Sequence, residues 1–226
     1  MIRLFRLAAL MVFATAACGL LSDDITLVRL HLPAKSFSID TADWRLPPST
    51  TVPMVPCSAG CGSLCSGGAC TASCNQSSGN CEADVPVSLK NDYNLAAEAP
   101  DYQTFASLNV ISVTVDDIYF DISSNTLNLD TPELRVVLGP QTVNSASDPA
   151  AELVGTIPAI HAGQTGRVDL VFAPSGQAVL KKYMDNFKTP FRVLVGGDVT
   201  VTGGQSTPAG KLVGAVQADA HASLGG

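Results

Sequence analysis

Six cysteines fall within the 25-residue run CSAGCGSLCSGGACTASCNQSSGNC: Cys57, Cys61, Cys65, Cys70, Cys74 and Cys81. Sulfur at this density either closes disulfides or, as thiolate, holds a metal or an iron–sulfur cluster. The spacing is C-x3-C-x3-C-x4-C-x3-C-x6-C, with no C-x2-C pair of the kind that zinc ribbons and cluster ferredoxins usually carry. Three disulfides are therefore the expectation, and neither metal nor cofactor is expected. Six cysteines allow fifteen pairings, so the connectivity stays open. The run holds one large apolar side chain, Leu64. So little burial cannot offset the conformational entropy of ordering it, and covalent links must hold it as a stapled loop.

Other groups that could do chemistry are scattered. Asp40 and Asp43 lie beside the only tryptophan, Trp44, in SIDTADW, and an acid next to an aromatic can serve sugar binding or glycoside hydrolysis. The plainer reading is a strand end that turns ahead of Pro47 and Pro48 with Trp44 partly buried. Asp116 and Asp117 read as solvated turn residues rather than calcium ligands, since no D-x-D-x-D-G loop surrounds them. His31 shares strand parity with Arg29, and His221 with Asp219 and Lys211, which puts both on a solvent face; His161 sits in a Pro/Gly-rich connection. No H-E-x-x-H, G-x-S-x-G, P-loop or dinucleotide-binding motif occurs, and GGDVTVTGGQ reads as turns at strand ends. No catalytic residue is assigned, and the expectation is a protein that is not an enzyme.

The N-terminus carries the expectation of export. Arg3 and Arg6 make a positive start, and Leu7 to Ala17 is an apolar stretch of eleven residues, too short to span a bilayer core of about 30 Å. Thr15, Ala16 and Ala17 then precede Cys18. The segment MIRLFRLAALMVFATAAC resembles a bacterial lipoprotein signal, with Thr15 in place of the usual leucine. The resemblance implies cleavage before Cys18, lipid modification of that cysteine and attachment to the membrane through the acyl chains. Gly19 is similar to the residue that directs enterobacterial lipoproteins to the outer membrane. Ala14, Thr15 and Ala16 also form an A-x-A site for ordinary signal cleavage, which would leave the protein secreted or periplasmic. Cys18 is the seventh cysteine, and its acylation would leave an even set for the oxidising compartment.

Residues 1–17 thus read as signal, 18–24 as a tether of at most about 20 Å, and 25–226 as one domain with the Cys-rich insertion 57–81. Without the signal the net charge is near −9. Such a surface repels nucleic acid and anionic headgroups, so no nucleic-acid partner is expected and membrane contact must come from the lipid.

Eight segments rich in Val, Ile, Leu, Phe and Thr read as strands: 25–32, 35–41, 84–89, 108–122, 133–138, 166–172, 191–202 and 211–223. Within the longest, Ile111, Val113 and Val115 share one parity and Ile118, Phe120 and Ile122 the other, so a bulge or bend at the Asp pair must return the second set to the core. One helix is expected after Pro174, capped by Ser175, with Val179, Leu180, Tyr183, Met184 and Phe187 as its core stripe and Lys181 and Lys182 outward. Short strands, frequent turn residues and almost no helix give an all-β fold, an antiparallel β-sandwich with one short helix and a disulfide-rich loop. The functional expectation is a lipid-anchored envelope protein with a binding or structural sandwich and an envelope or cell-surface partner. An exported carbohydrate-active enzyme and a secreted adhesin-like module are the alternatives.

Overall fold

The structure, a computed structural model, describes residues 27–46, 49–65, 70–98, 111–186 and 188–224. Cys18, the signal, the tether and Phe187 lie outside the described residues. Among the described residues eleven strands form two antiparallel sheets: β1 Leu27–His31, β2 Lys35–Asp40, β3 Thr71–Asn75, β4 Asn80–Tyr93, β5 Ile111–Asn125, β6 Leu134–Pro140, β7 Glu152–Ile157, β8 Gly166–Asp169, β9 Val171–Phe172, β10 Phe191–Thr202 and β11 Lys211–Leu224. The five-stranded sheet runs β1-β11-β5-β8, with β2 following β1 along the same side of β11. The six-stranded sheet runs β3-β4-β10-β6-β7-β9. Their facing sides bury one core, so the chain is an all-β sandwich.

Alternation builds that core. Phe191, Val193, Val195, Val199 and Val201 of β10 face inward beside Val85 and Val87 of β4 and Leu134, Val136 and Leu138 of β6. On the opposite sheet, Val115, Ile118, Phe120 and Ile122 of β5 are all buried despite their change of parity. The register explains it: Asp219 pairs with Asp117 and Ala220 with Val115, which leaves Asp116 as the extra residue of a β-bulge. The expected bulge at the Asp pair is therefore present. A second shift at Ser123 keeps the far end of β5 in step with β11.

Four differences from the sequence reading have local causes. The segment 166–172 is two strands, because the chain changes sheets at Leu170, whose N–H donates to Ile118 O at 2.9 Å, and so closes one side of the sandwich. The strand β7 carries Gly155 in its middle, which weakens its β signal. Gly196 and Gly197 lie inside β10 rather than in a turn. There the connection 141–151 folds over the outer face of the six-stranded sheet, burying Val137 and Leu194 under Val143, and a Cβ on Gly196 would meet the Ala146 Cβ at 3.0 Å. Ser175 stands at the N-cap of its helix but its side chain makes no capping bond.

Among the described residues two α-helices join the sandwich, α1 Leu95–Glu98 and α2 Gly176–Asp185. The latter closes the end between β5 and β7 with Val179, Leu180 and Met184 buried, while Lys181 and Lys182 point out to Asp185 and Glu152. Gly176 makes the approach possible: a Cβ there would stand 2.0 Å from Val154 O. At the same end Tyr93 stacks on Phe191 at 5.6 Å, and Arg192 donates to both Asp92 oxygens at 2.6 and 3.0 Å and to Val143 O at 2.9 Å, fastening the outer connection to the β4–β10 ladder.

Two predictions follow from this end of the molecule. Gly176→Ala forces backbone apart and should cost about 1–3 kcal/mol, read as a lower urea midpoint. Hydrogen bonds from Arg192 hold the Asp92 carboxyl below its ordinary 3.8, and those from Lys182 hold Glu152 below its ordinary 4.5. A carboxyl with a depressed folded pKa binds fewer protons folded than unfolded, so its contribution is full above the unfolded value and is lost as pH falls through the folded one. Stability should be level above about pH 5 and decline below about pH 4.5, and Asp92→Asn should flatten part of that decline in urea titrations across the acid range.

Candidate functional site

The cysteine-rich segment is more than a loop. After Trp44 the chain runs beside the end of β10 and the turn that follows it, where Val52 N–H donates to Gln205 O at 2.8 Å and Cys81 N–H to Val55 O at 2.8 Å. Two short 3-10 turns, Cys57–Ala59 and Cys61–Leu64, then cross beneath the hairpin of β3 and β4. Leu64 is 1 % exposed and seats among Leu46, Val52 and Ala83, an insertion contributing about 2 kcal/mol. That is the segment's whole apolar anchorage by a large side chain. The strand β3 adds to β4 as the terminal strand of the larger sheet.

Disulfides supply the rest. Cys57 bonds Cys74, Cys61 bonds Cys81 and Cys65 bonds Cys70, with Cα atoms 5.4, 5.4 and 5.5 Å apart. Cys74 and Cys81 oppose each other across the hairpin, yet each bonds a different 3-10 turn, so two cross-links leave a single rung. Alternation alone would not reveal this pairing, because it depends on which turn lies under which strand. All six clustered sulfurs are spent in bonds, which removes the thiolates that a metal or cluster would need.

The free side of β3 is the notable surface. From Leu46 to Cys81 the sequence contains no Asp, Glu, Lys, Arg or His, in a chain of net charge −7. Thr71 and Ser73 are exposed, and Asn75 holds the following turn by accepting from Ser77 N–H at 3.0 Å and donating to Glu82 at 2.9 Å. Because the Cys81 N–H points away from β3 to Val55, the Cys74–Cys81 pair is of the non-hydrogen-bonded kind. The N–H and C=O of Cys74, and two residues earlier those of Ala72, therefore point to the open side. Among the described residues no hydrogen bond takes them up. The uncharged run was legible in the sequence as a gap in charge; that a strand lay in it was not, since TASCN has little β-propensity.

The remaining candidates are structural. Asp40 accepts from Ala42 N–H at 3.0 Å as the cap of the 3-10 turn Thr41–Trp44 and pairs with Lys211 at 3.5 Å. Trp44 is 6 % exposed and offers no open ring to a sugar. Asp43 is exposed on the turn. Asp116 accepts from His221 Nδ1 at 2.7 Å, and Asp117 pairs with Arg167, whose guanidinium lies 3.9 Å from the Tyr119 ring centroid and also pairs with Asp169. His221 is thus half-buried against a carboxylate rather than fully solvated. His31 pairs in register with Asp219. His161, exposed in its connection, meets Asp130 at 2.9 Å, a contact that holds the Asp130 carboxyl below its ordinary range. These are two His–Asp pairs that the sequence did not announce, since their partners lie 31 and 105 positions away. Among the described residues no group of three or more His, Cys, Asp or Glu is placed to hold a metal.

No protein-family model matches this chain, and no curated protein matches it.

Loop length sets the expected order of the cross-links. Cys57–Cys74 and Cys61–Cys81 span 17 and 20 residues and Cys65–Cys70 spans 5. Chain-entropy arithmetic gives about 3 kcal/mol for each long link and about 2 for the short one. Pairwise Cys→Ser replacement, followed by urea unfolding, should rank Cys61–Cys81 and Cys57–Cys74 above Cys65–Cys70.

Proposed function

We propose that this chain is an exported protein of the cell envelope, anchored by lipid on Cys18 at the outer membrane, whose β-sandwich has a binding or structural role and catalyses nothing. The observation that carries the reading is the fate of sulfur. Six of the seven cysteines are joined in three disulfides, which suits an oxidising compartment, and Cys18 is the one remaining, at the end of the signal-like segment. An odd thiol there would form mixed disulfides; a thioether to lipid removes it.

Other features agree with this reading. Among the described residues no helix is long and apolar enough to cross a membrane, and a surface of net negative charge gains nothing from anionic headgroups, so an acyl anchor is the means of attachment that the residues offer. The acids best suited to sugar chemistry, Asp40 and Asp43, serve as a turn cap and an exposed turn residue beside a buried Trp44, which takes support from the carbohydrate-active alternative. A partner in the envelope or at the cell surface belongs to the same reading, and the stapled edge, rigid before contact, loses little entropy wherever it is the contact surface.

Replacing Cys18 by Ser tests the anchor. The expected result is a shift of the protein from the membrane fraction to the soluble envelope fraction, resistant to high salt in the wild type. Unchanged membrane association of Cys18→Ser would contradict the lipid anchor, and a wild-type protein already soluble would favour ordinary cleavage and a secreted or periplasmic life.

A further inference from the structure

Edge strands invite pairing, and most of those in this fold carry a deterrent. Those at the edges of the five-stranded sheet are charged: Arg29 in β1, Lys35 and Asp40 in β2, Arg167 and Asp169 in β8. At one end of the six-stranded sheet β9 has two residues. At the other end β3 has five, Thr-Ala-Ser-Cys-Asn, with no charge, no proline and no bulge against β4. It is also the strand fastened by a disulfide, through Cys74 to Cys57. We propose that β3 is a homotypic contact: two copies of the chain join antiparallel through their β3 strands about a twofold axis at Ser73, making one continuous sheet from two six-stranded ones.

The register follows from the backbone. The outward N–H and C=O groups belong to Ala72 and Cys74, as derived above from the Cys81–Val55 bond. An antiparallel copy places Ala72 opposite Cys74 of the second copy, and Cys74 opposite Ala72. Each such pair exchanges two hydrogen bonds. Ser73 then faces its own copy in the closer, non-hydrogen-bonded position, and its exposed hydroxyl is small enough to sit there. A twofold contact needs a self-complementary patch, and this one satisfies itself without any second surface.

Charge selects a second copy over other occupants. With net charge −7, two copies repel wherever their acidic surfaces approach, and the uncharged stretch from Leu46 to Cys81 is the longest part of the chain where they do not. The nearest acids, Glu82 and Asp84, lie one strand inward on β4. Across the join Glu82 is about 14 Å from its own copy, three strand spacings, and Asp84, offset along the strand as well, is about 20 Å from its own, both beyond the screening length of about 8 Å at physiological salt. A five-residue strand buries less than the roughly 1,000 Å² expected of a stable dimer in solution, so the contact is weak alone and gains from confinement of the chains to a surface. The proposal rests on the stapled edge being the contact surface and not on the anchor at Cys18.

Ser73→Cys in the full chain, expressed in its own compartment, tests it. The expected product is a disulfide-linked dimer on a non-reducing gel whose cross-linked peptide joins Cys at 73 to Cys at 73, with no dimer from Ser78→Cys in the turn beyond the strand. Ser73→Asp sets like charges opposite each other and should lower the dimer fraction several-fold. Because an added cysteine can scramble the native bridges, the wild-type protein provides the second readout. Amide exchange at Ala72 and Cys74 should slow several-fold between about 10 μM and about 1 mM protein, while Ser73 exchange stays constant. Exchange at Ala72 and Cys74 that is independent of concentration overturns the proposal, as does a cross-link from position 73 to a different protein.

Discussion

The ladder between β4 and β10 is the interaction on which both ends of this molecule depend. It runs unbroken from Phe191 paired with Tyr93 to Thr202 paired with Glu82. At one end the aromatic stack of Tyr93 on Phe191 and the Arg192–Asp92 bridge close the core beneath α2. At the other, β4 continues past the end of β10, and the chain between Val52 and Cys57 takes the vacated place through Val55 and Cys81. The cystine-rich segment is thus built onto the overhang of one long strand. The hairpin spans the junction: Thr71, Ala72 and Ser73 pair with β4 residues still inside the ladder, and Cys74 and Asn75 pair with the overhanging Cys81 and Asn80.

Burial and cross-linking divide the work along that strand. In its body Val85 and Val87 are buried and alternate with exposed or half-buried neighbours, which is ordinary sandwich packing. Beyond Cys81, in residues 57–80, the side chains other than cysteine are Ser, Gly, Thr, Asn, Gln and Ala, and Leu64 alone reaches the core as a large residue. Three disulfides restrict the unfolded chain where contacts cannot reward the folded one. The same exchange leaves a surface with few apolar groups and no charge, held in a fixed shape. A segment retained in such form, at covalent cost and without a core of its own, is more readily understood as a surface that must be ordered than as a connection.

The fold was largely legible because alternation survives in the long strands. Val193, Val195, Val199 and Val201 mark one face of β10, and the parity change in β5 marks the Asp116–Asp117 pair as the place of a bulge or bend, which the register narrows to Asp116. Where the sequence fell short, tertiary contacts had overridden local preference. Gly155, Gly196 and Gly176 look like breakers, yet each permits a close approach of backbone or loop within or beside a regular element. TASCN became a strand because disulfides and β4 held it there, not from propensity. The site was legible in its chemistry, three disulfides from six clustered cysteines, and not in its geometry. Connectivity depended on two 3-10 turns lying under the hairpin, and the open edge depended on the direction of a single N–H at Cys81. The His–Asp pairs escaped because nothing local links residues so far apart.

The account stands on the assignment of every sulfur, and one mass-spectrometric measurement addresses it directly. Protein isolated from the membrane fraction would be alkylated without reduction, digested, and read before and after reduction. The account predicts an N-terminal peptide that begins at Cys18 and carries the added mass of acyl chains, with no alkylated cysteine and with linked peptides joining Cys57 to Cys74, Cys61 to Cys81 and Cys65 to Cys70. An unmodified or alkylated Cys18, or clustered cysteines that take up the alkylating agent without reduction, would contradict it.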